Sequence, residues 1–165
     1  MRKWHTAAIL FVVMVDRFVK IWAGKALKQV FTLPLWEGVF HMTYTENRGA
    51  AFGLLQGQQA LFFIITIPMT LVLLWLLYFR MPKSKGCGIG LALVLGGALG
   101  NFFDRIVYGY VVDMFDFRLI NFAIFNVADM GICIGAAIFL LFYIIEDSAR
   151  ARAEKLAEAA KPRAE

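Results

Sequence analysis

Twenty consecutive residues without a charge, "ALFFIITIPMTLVLLWLLYF" from Ala60 to Phe79, limit what this chain can become more than any other stretch. About 20 mainly apolar residues are what a helix needs to cross the hydrocarbon of a bilayer. Pro68 is tolerable in such a span, because neighbouring helices can satisfy the carbonyl it frees. Phe122 to Ile145 is a second span, interrupted only by Asn126 and Asp129. Cys87 to Phe103 is a shorter third, in which "GCGIG" and "GGALG" each hold glycines four apart and predict one face that packs closely on another helix. Trp4 to Ala23 is the fourth, apolar through Val15 and then carrying "DRFVK". Of the 165 residues 61% are hydrophobic and the mean hydropathy is +0.68, well above the ~45–50% apolar content of soluble domains. The sequence therefore predicts an all-α integral membrane protein with four transmembrane helices, spanning 4–23, 60–79, 87–103 and 122–145.

Lysine and arginine set the orientation. "MRK" precedes the first span, "RMPKSK" joins the second to the third, and Arg150, Arg152, Lys155, Lys161 and Arg163 lie in the tail. The positive-inside bias puts all three segments, and so both termini, in the cytoplasm, with Lys25 and Lys28 as exceptions on the far side. The net charge of +5 is thus spent on topology. It is not gathered into a face or motif for nucleic acid. Residues 24–59 then form an outer, periplasmic segment in which "FHMTYT" has strand composition, predicting a small β-rich platform between the first and second helices. A shorter outer loop, 104–121, links the third and fourth spans. Residues 1–147 read as the membrane domain and 148–165 as a charged, solvated tail. The first span reads as retained, not as a cleaved signal peptide, because Asp16 to Lys20 spoil its apolar core.

Placed by depth, the polar residues converge on the outer surface. Asp16 and Lys20 share a helical face, as do Asn126 and Asp129; Asn101, Asp104 and Arg105 end the third span; Asn47, Arg48 and Asp113 lie in the outer segments. Asp16 with Lys20 reads most simply as an ion pair that fixes packing, Asn101 to Arg105 as a hydrated helix end, and Asp116 with Arg118 as solvated loop residues. Asp129 differs. It sits in an apolar run with no basic residue three or four positions away, so its partner must come from elsewhere in the fold. A second carboxylate there would share one proton with it, as in an aspartic protease, one acid activating water and the other polarising the scissile carbonyl. No nucleophile motif and no metal-ligand spacing occurs in this layer, and Cys87 and Cys133 both lie in apolar runs. No metal and no cofactor is expected. The residues alone leave an aspartyl membrane hydrolase and a small proton-coupled carrier both open, with a glycine-packed scaffold as a third reading.

In this order, "DRFVK", "TENRGAAFGLL", "GALGNFFDRIVYGYVVDMFDF" and "FNVADMGICIG" resemble bacterial lipoprotein signal peptidase, or signal peptidase II, from about Trp4 to Ile145. The resemblance implies a catalytic dyad of Asp113 and Asp129, and selects Asp113 over Asp116. It implies supporting roles for Asp16, Lys20, Asn47, Arg48, Asn101, Asp104, Arg105 and Asn126. It further implies a bacterial inner-membrane endopeptidase that cuts just before a diacylglyceryl cysteine in prolipoproteins, works among membrane lipids, and binds globomycin-type cyclic peptides; four spans with one complete polar cluster are expected to work as a monomer. Arg17, Gly53 and Met130 depart from the family pattern without removing a dyad carboxylate.

Overall fold

Each apolar run folds as a helix in the computed structural model, which describes residues 2–49, 55–80 and 84–159. Part of "TENRGAAFGLL", part of "RMPKSK" and the last six residues of the tail lie outside those ranges. The helices are α1 (Arg2–Ala26), α2 (Gln59–Tyr78), α3 (Lys85–Tyr108) and α4 (Val127–Ala159); three strands, β1 (Thr32–Trp36), β2 (Phe40–Asn47) and β3 (Val111–Phe117), complete the architecture. By length and composition α2, α3 and α4 are apolar enough to cross a membrane. α1 carries Asp16, Arg17 and Lys20 in its second half, although its 25 residues reach about 37 Å, longer than a ~30 Å hydrocarbon core.

α3 is the central helix. Its glycines serve two neighbours, not the single face expected from their spacing. A Cβ on Gly90 would lie 2.6 Å from the Phe139 backbone nitrogen, and one on Gly97 2.2 Å from the Ala128 carbonyl, both on α4. A Cβ on Gly96 would meet α1 instead, 2.9 Å from Val12. Small residues let backbones approach where lipid offers no hydrophobic drive to association. Ser84 caps α3 by accepting from the Cys87 N–H at 3.0 Å. The helix ends at Gly109, whose φ of 77° is left-handed backbone that glycine adopts without a Cβ clash. Ile9, Leu73, Leu77, Leu91, Ala92 and Leu95 form the core among α1, α2 and α3.

Two expectations need correction here. The platform is not built from residues 24–59 alone. The sheet runs β1-β2-β3, all antiparallel, so its third strand comes from the link between α3 and α4 that was read as a loop. β2 also carries one residue more than β3 between the pairs Met42–Phe115 and Thr45–Asp113. Because side chains alternate along a strand, this bulge makes Thr45 and Asn47, not Tyr44 and Glu46, continue the face of Phe40 and Met42. The second correction concerns α4, which begins at Val127, five residues later than hydropathy places it. Phe125 instead exchanges backbone hydrogen bonds with Phe115 at 2.9 and 3.1 Å, so the preceding chain is extended against β3. Met42, Tyr44, Val112 and Met114 pack the sheet onto Ala23 and Leu27 at the end of α1.

Candidate active site

α4 starts with a reciprocal cap. The Asp129 N–H donates to Asn126 Oδ1 at 2.9 Å, and the Asn126 N–H donates to Asp129 Oδ2 at 3.1 Å. Asn-x-x-Asp here does the work of a capping box. Asp129 therefore stands in the first turn of the helix, not two turns inside an apolar span, where the partial positive charge of the helix N-terminus falls on its carboxylate. Its other oxygen accepts from Asn101 Nδ2 at 2.7 Å.

Asp113 comes from the middle of β3 and is almost wholly buried. Asn126 Nδ2 donates to its Oδ1 at 2.6 Å, and Asn47 Nδ2, brought to this face by the bulge, donates to its Oδ2 at 2.9 Å. One residue, Asn126, thus grips both acids, through its side-chain amide and through its backbone N–H. Burial pushes the Asp113 carboxyl up to about 7, against the two asparagine hydrogen bonds that favour its charged form; the nearby Asp129 adds to the rise.

Behind the acids lies a buried charge network. Lys20 Nζ contacts Asp16 Oδ2 at 2.8 Å and Asp104 Oδ2 at 3.0 Å, and donates to Asn101 Oδ1 at 2.9 Å. Asp16 also accepts from the Ala128 N–H at 2.9 Å, so α1 helps to cap α4. Asp104 pairs with Arg17 at 2.7 Å and accepts from the Val112 N–H at 3.3 Å, tying α3 to the start of the strand that carries Asp113. Arg17, the departure noted in the sequence, also stacks on Phe103 and Tyr108 and donates to the Tyr108 hydroxyl. Such a network holds only because every charge has partners; removing one leaves a buried ion uncompensated.

The acids face a cavity of about 600 Å³ whose polar side is Asn47, Asn101, Arg105, Asp113 and Asp129. Arg105 donates to the Gly49 carbonyl at 3.2 Å and packs on Phe62. The opposite side is apolar: Phe122 to Phe125, then Met130, Cys133 and Ile134 on α4. Phe122, Met130 and Ile134 are exposed on the bundle surface, so the cavity opens sideways. Sequence reasoning missed this wall. Its one signal was the spacing of residues 129, 130, 133 and 134, which places them on one helical face.

Of the ten residues singled out, Asn47, Asn101, Arg105, Asp113 and Asp129 line the cavity, while Asn126, Asp16, Lys20 and Asp104 join them through the bonds above. Arg48 is the exception. Its side chain is exposed, lies 3.4 Å from Glu46 and covers the Tyr110 ring, outside the cavity lining. Arg118 is exposed, as expected, but Asp116 is not solvated. Asp116 is buried in the sheet and accepts from Thr43 at 2.7 Å and from Arg118 at 2.9 Å.

Fold and site together define a class: aspartic-type peptidases that work within a membrane. Known proteins narrow it. Residues 8–145 match the family described as signal peptidase (SPase) II. Proteins named lipoprotein signal peptidase from Halothermothrix orenii and Clostridioides difficile are each 42% identical to this chain, over 81% of it and 90% of the first relative, and over 87% of it and 96% of the second. A bacterial membrane enzyme solved by the in meso method at 2.3 Å resolution superposes with a TM-score of 0.78 at 29% identity, covering 90% of this chain and 91% of that one. The chain belongs to the signal peptidase II family.

Proposed function

We propose that this protein removes the signal peptide from diacylglyceryl-modified prolipoproteins, cleaving just before the lipidated cysteine with Asp113 and Asp129 as the catalytic pair. The observation that carries the proposal is the shared grip of Asn126 on both acids, at 2.6 Å to Asp113 and 3.1 Å to Asp129, beside a cavity they line together. Two carboxylates so placed share one proton. Asp113, raised to about 7 by burial, is the acid that holds it and polarises the scissile carbonyl. Asp129, the less buried of the two, takes a proton from the attacking water. Collapse of the tetrahedral intermediate sends the shared proton to the leaving amine.

The sideways opening suits the substrate. A signal peptide is a membrane helix, and the acyl chains on the cysteine must stay in lipid while the bond reaches the acids. The exposed wall of Phe122, Met130 and Ile134 offers such a route. The same groove would take globomycin-type cyclic peptides. The reading includes four crossings of the bacterial inner membrane, both termini cytoplasmic, the site at the periplasmic surface, and a monomer as the working unit. Arg48, whose chain neighbours Asn47 and Gly49 line the cavity, is proposed to meet lipid or peptide carbonyls. Among the described residues no group of three or more His, Cys, Asp or Glu could hold a metal ion, and no step above needs one.

Purified protein and a synthetic lipidated prolipoprotein provide the test. Asp113→Asn and Asp129→Asn are each expected to abolish cleavage while helical content is retained, and Asp116→Asn to leave it intact. A folded Asp129→Asn enzyme that still cleaves would overturn the dyad. In the same assay, unchanged cleavage by Arg48→Ala would remove that residue from the proposal.

A further inference from the structure

At the end of the bundle away from the sheet, α1 and α3 both begin, and a second cavity of about 610 Å³ opens between them. Its lining includes Phe11, Ile89 and Leu93, with Trp4, His5 and Lys85 toward the helix starts. Trp4 to Phe11 spans about 10 Å along the helix axis, so the groove runs from a polar mouth to an apolar floor. Three features of the mouth point to an anion. Lys85 is exposed there. The N-termini of two helices converge on it, each with a partial positive charge. His5 is 3% exposed, and its Nδ1 is a buried polar atom with no hydrogen-bond partner among the described residues. The ring rests on α3: a Cβ on Gly88 would lie 2.3 Å from its Nε2, so α3 has glycine there. A buried ring nitrogen without a partner is costly; Nδ1 is closed off as the ring stands, and a turn of the ring toward the groove would let a phosphate oxygen accept from it when the proton sits on Nδ1.

We propose that this groove holds one anionic phospholipid of the cytoplasmic leaflet, its phosphate at His5 and Lys85 and an acyl chain along Phe11, Ile89 and Leu93. Charge complementarity selects the occupant. Basic pockets between membrane helices on the cytoplasmic side take anionic headgroups, whereas a purely apolar partner would leave Lys85 and His5 unanswered. The exposed indole of Trp4 suits the headgroup level. The site is far from the paired acids and independent of them, since α1 and α3 enter the sheet and the dyad from their opposite ends.

The experiment is native mass spectrometry of the full chain released from nanodiscs of phosphatidylglycerol and phosphatidylcholine. Both leaflets carry both lipids, so the result does not depend on orientation in the cell. The wild type should retain one phosphatidylglycerol in preference to phosphatidylcholine, and inorganic phosphate should not displace it. Lys85→Gln, on an exposed residue, should weaken retention about fivefold, the loss of one lysine near a headgroup; His5→Phe, which keeps the ring and removes both nitrogens, should weaken it at least as much. Equal retention of the two lipids would overturn the proposal, as would retention unchanged in Lys85→Gln, displacement by phosphate alone, or a dimer that carries no lipid. If His5→Phe fails to fold, Lys85→Gln decides. Cleavage assayed in the same samples keeps this outcome separate from that of the dyad.

Discussion

At the scale of single residues, Asp113 sets a conflict between stability and chemistry. Its carboxyl ordinarily titrates at 3.8 and is raised to about 7 in the fold by burial. A group that binds its proton more tightly folded than unfolded contributes its full stabilisation below the unfolded value, and loses it as pH rises through the folded one. Stability should therefore fall between about pH 4 and pH 7. The span is about three units, so Asp113 accounts for up to roughly 4 kcal/mol of that loss. Thermal unfolding in detergent across this range checks it. Relative to the wild type, Asp113→Asn should gain stability from about pH 4 to about pH 7 and level off above it, whatever its absolute melting point. A parallel pair of curves would mean that Asp113 is not the buried titrating group. Activity should follow the same proton, declining above about pH 7 as the pair loses its shared hydrogen.

Elements explain what hydropathy could and could not show. The helices were legible because a bilayer demands length and apolarity, and the polar residues could be placed by depth along them. β3 was hidden. "VVDMFDF" lacks a period of two, since Asp113 faces the cavity and Asp116 bonds Thr43 within the sheet; a strand with acids on both faces shows no alternation. The start of α4 was hidden too, because nothing between Phe122 and Phe125 opposes a helix until the backbone pairing with Phe115 takes precedence. The glycines of α3 were read correctly as packing residues, but their division between α1 and α4 was a matter of geometry. A prediction belongs at this scale. Gly97→Ala puts a Cβ 2.2 Å from the Ala128 carbonyl, one residue from Asp129, and should cost about 1–3 kcal/mol by overpacking. Cleavage should fall with it, since α4 must shift. Gly24→Ala, with nothing within 4 Å, should be neutral or stabilising by up to ~1 kcal/mol. Melting temperature and cleavage rate measured on both variants separate close packing from helix propensity.

For the whole molecule, the sheet is a statement about topology. β2 follows α1, and β3 follows α3, yet the two strands pair along most of their length. The ends of α1 and α3 must therefore lie on the same side. α2 and α4 begin on that side as well, because each follows a strand of the sheet. If α2, α3 and α4 cross the membrane, α1 accompanies α3 throughout, and its charges are tolerable because Asp16, Lys20, Asp104 and Arg17 compensate one another. The proposed four crossings, with both ends on one face, fit this arrangement. Thiol labelling tests which side of the membrane the sheet and the end of α4 occupy. With Cys87 and Cys133 replaced by alanine, a single cysteine at Trp36→Cys on exposed β1 should react in intact spheroplasts with a membrane-impermeant maleimide. One at Arg152→Cys, on the exposed end of α4, should react only after the membrane is opened. The reverse pattern would invert the molecule and put the acids on the cytoplasmic side. Labelling of both sites without permeabilisation would mean an even number of crossings between them, so that one of α2, α3 and α4 does not span. The reverse pattern would separate the sheet from the leaflet in which a secreted lipoprotein presents its cysteine, so this measurement bears on the proposed substrate as directly as any change to the acids themselves.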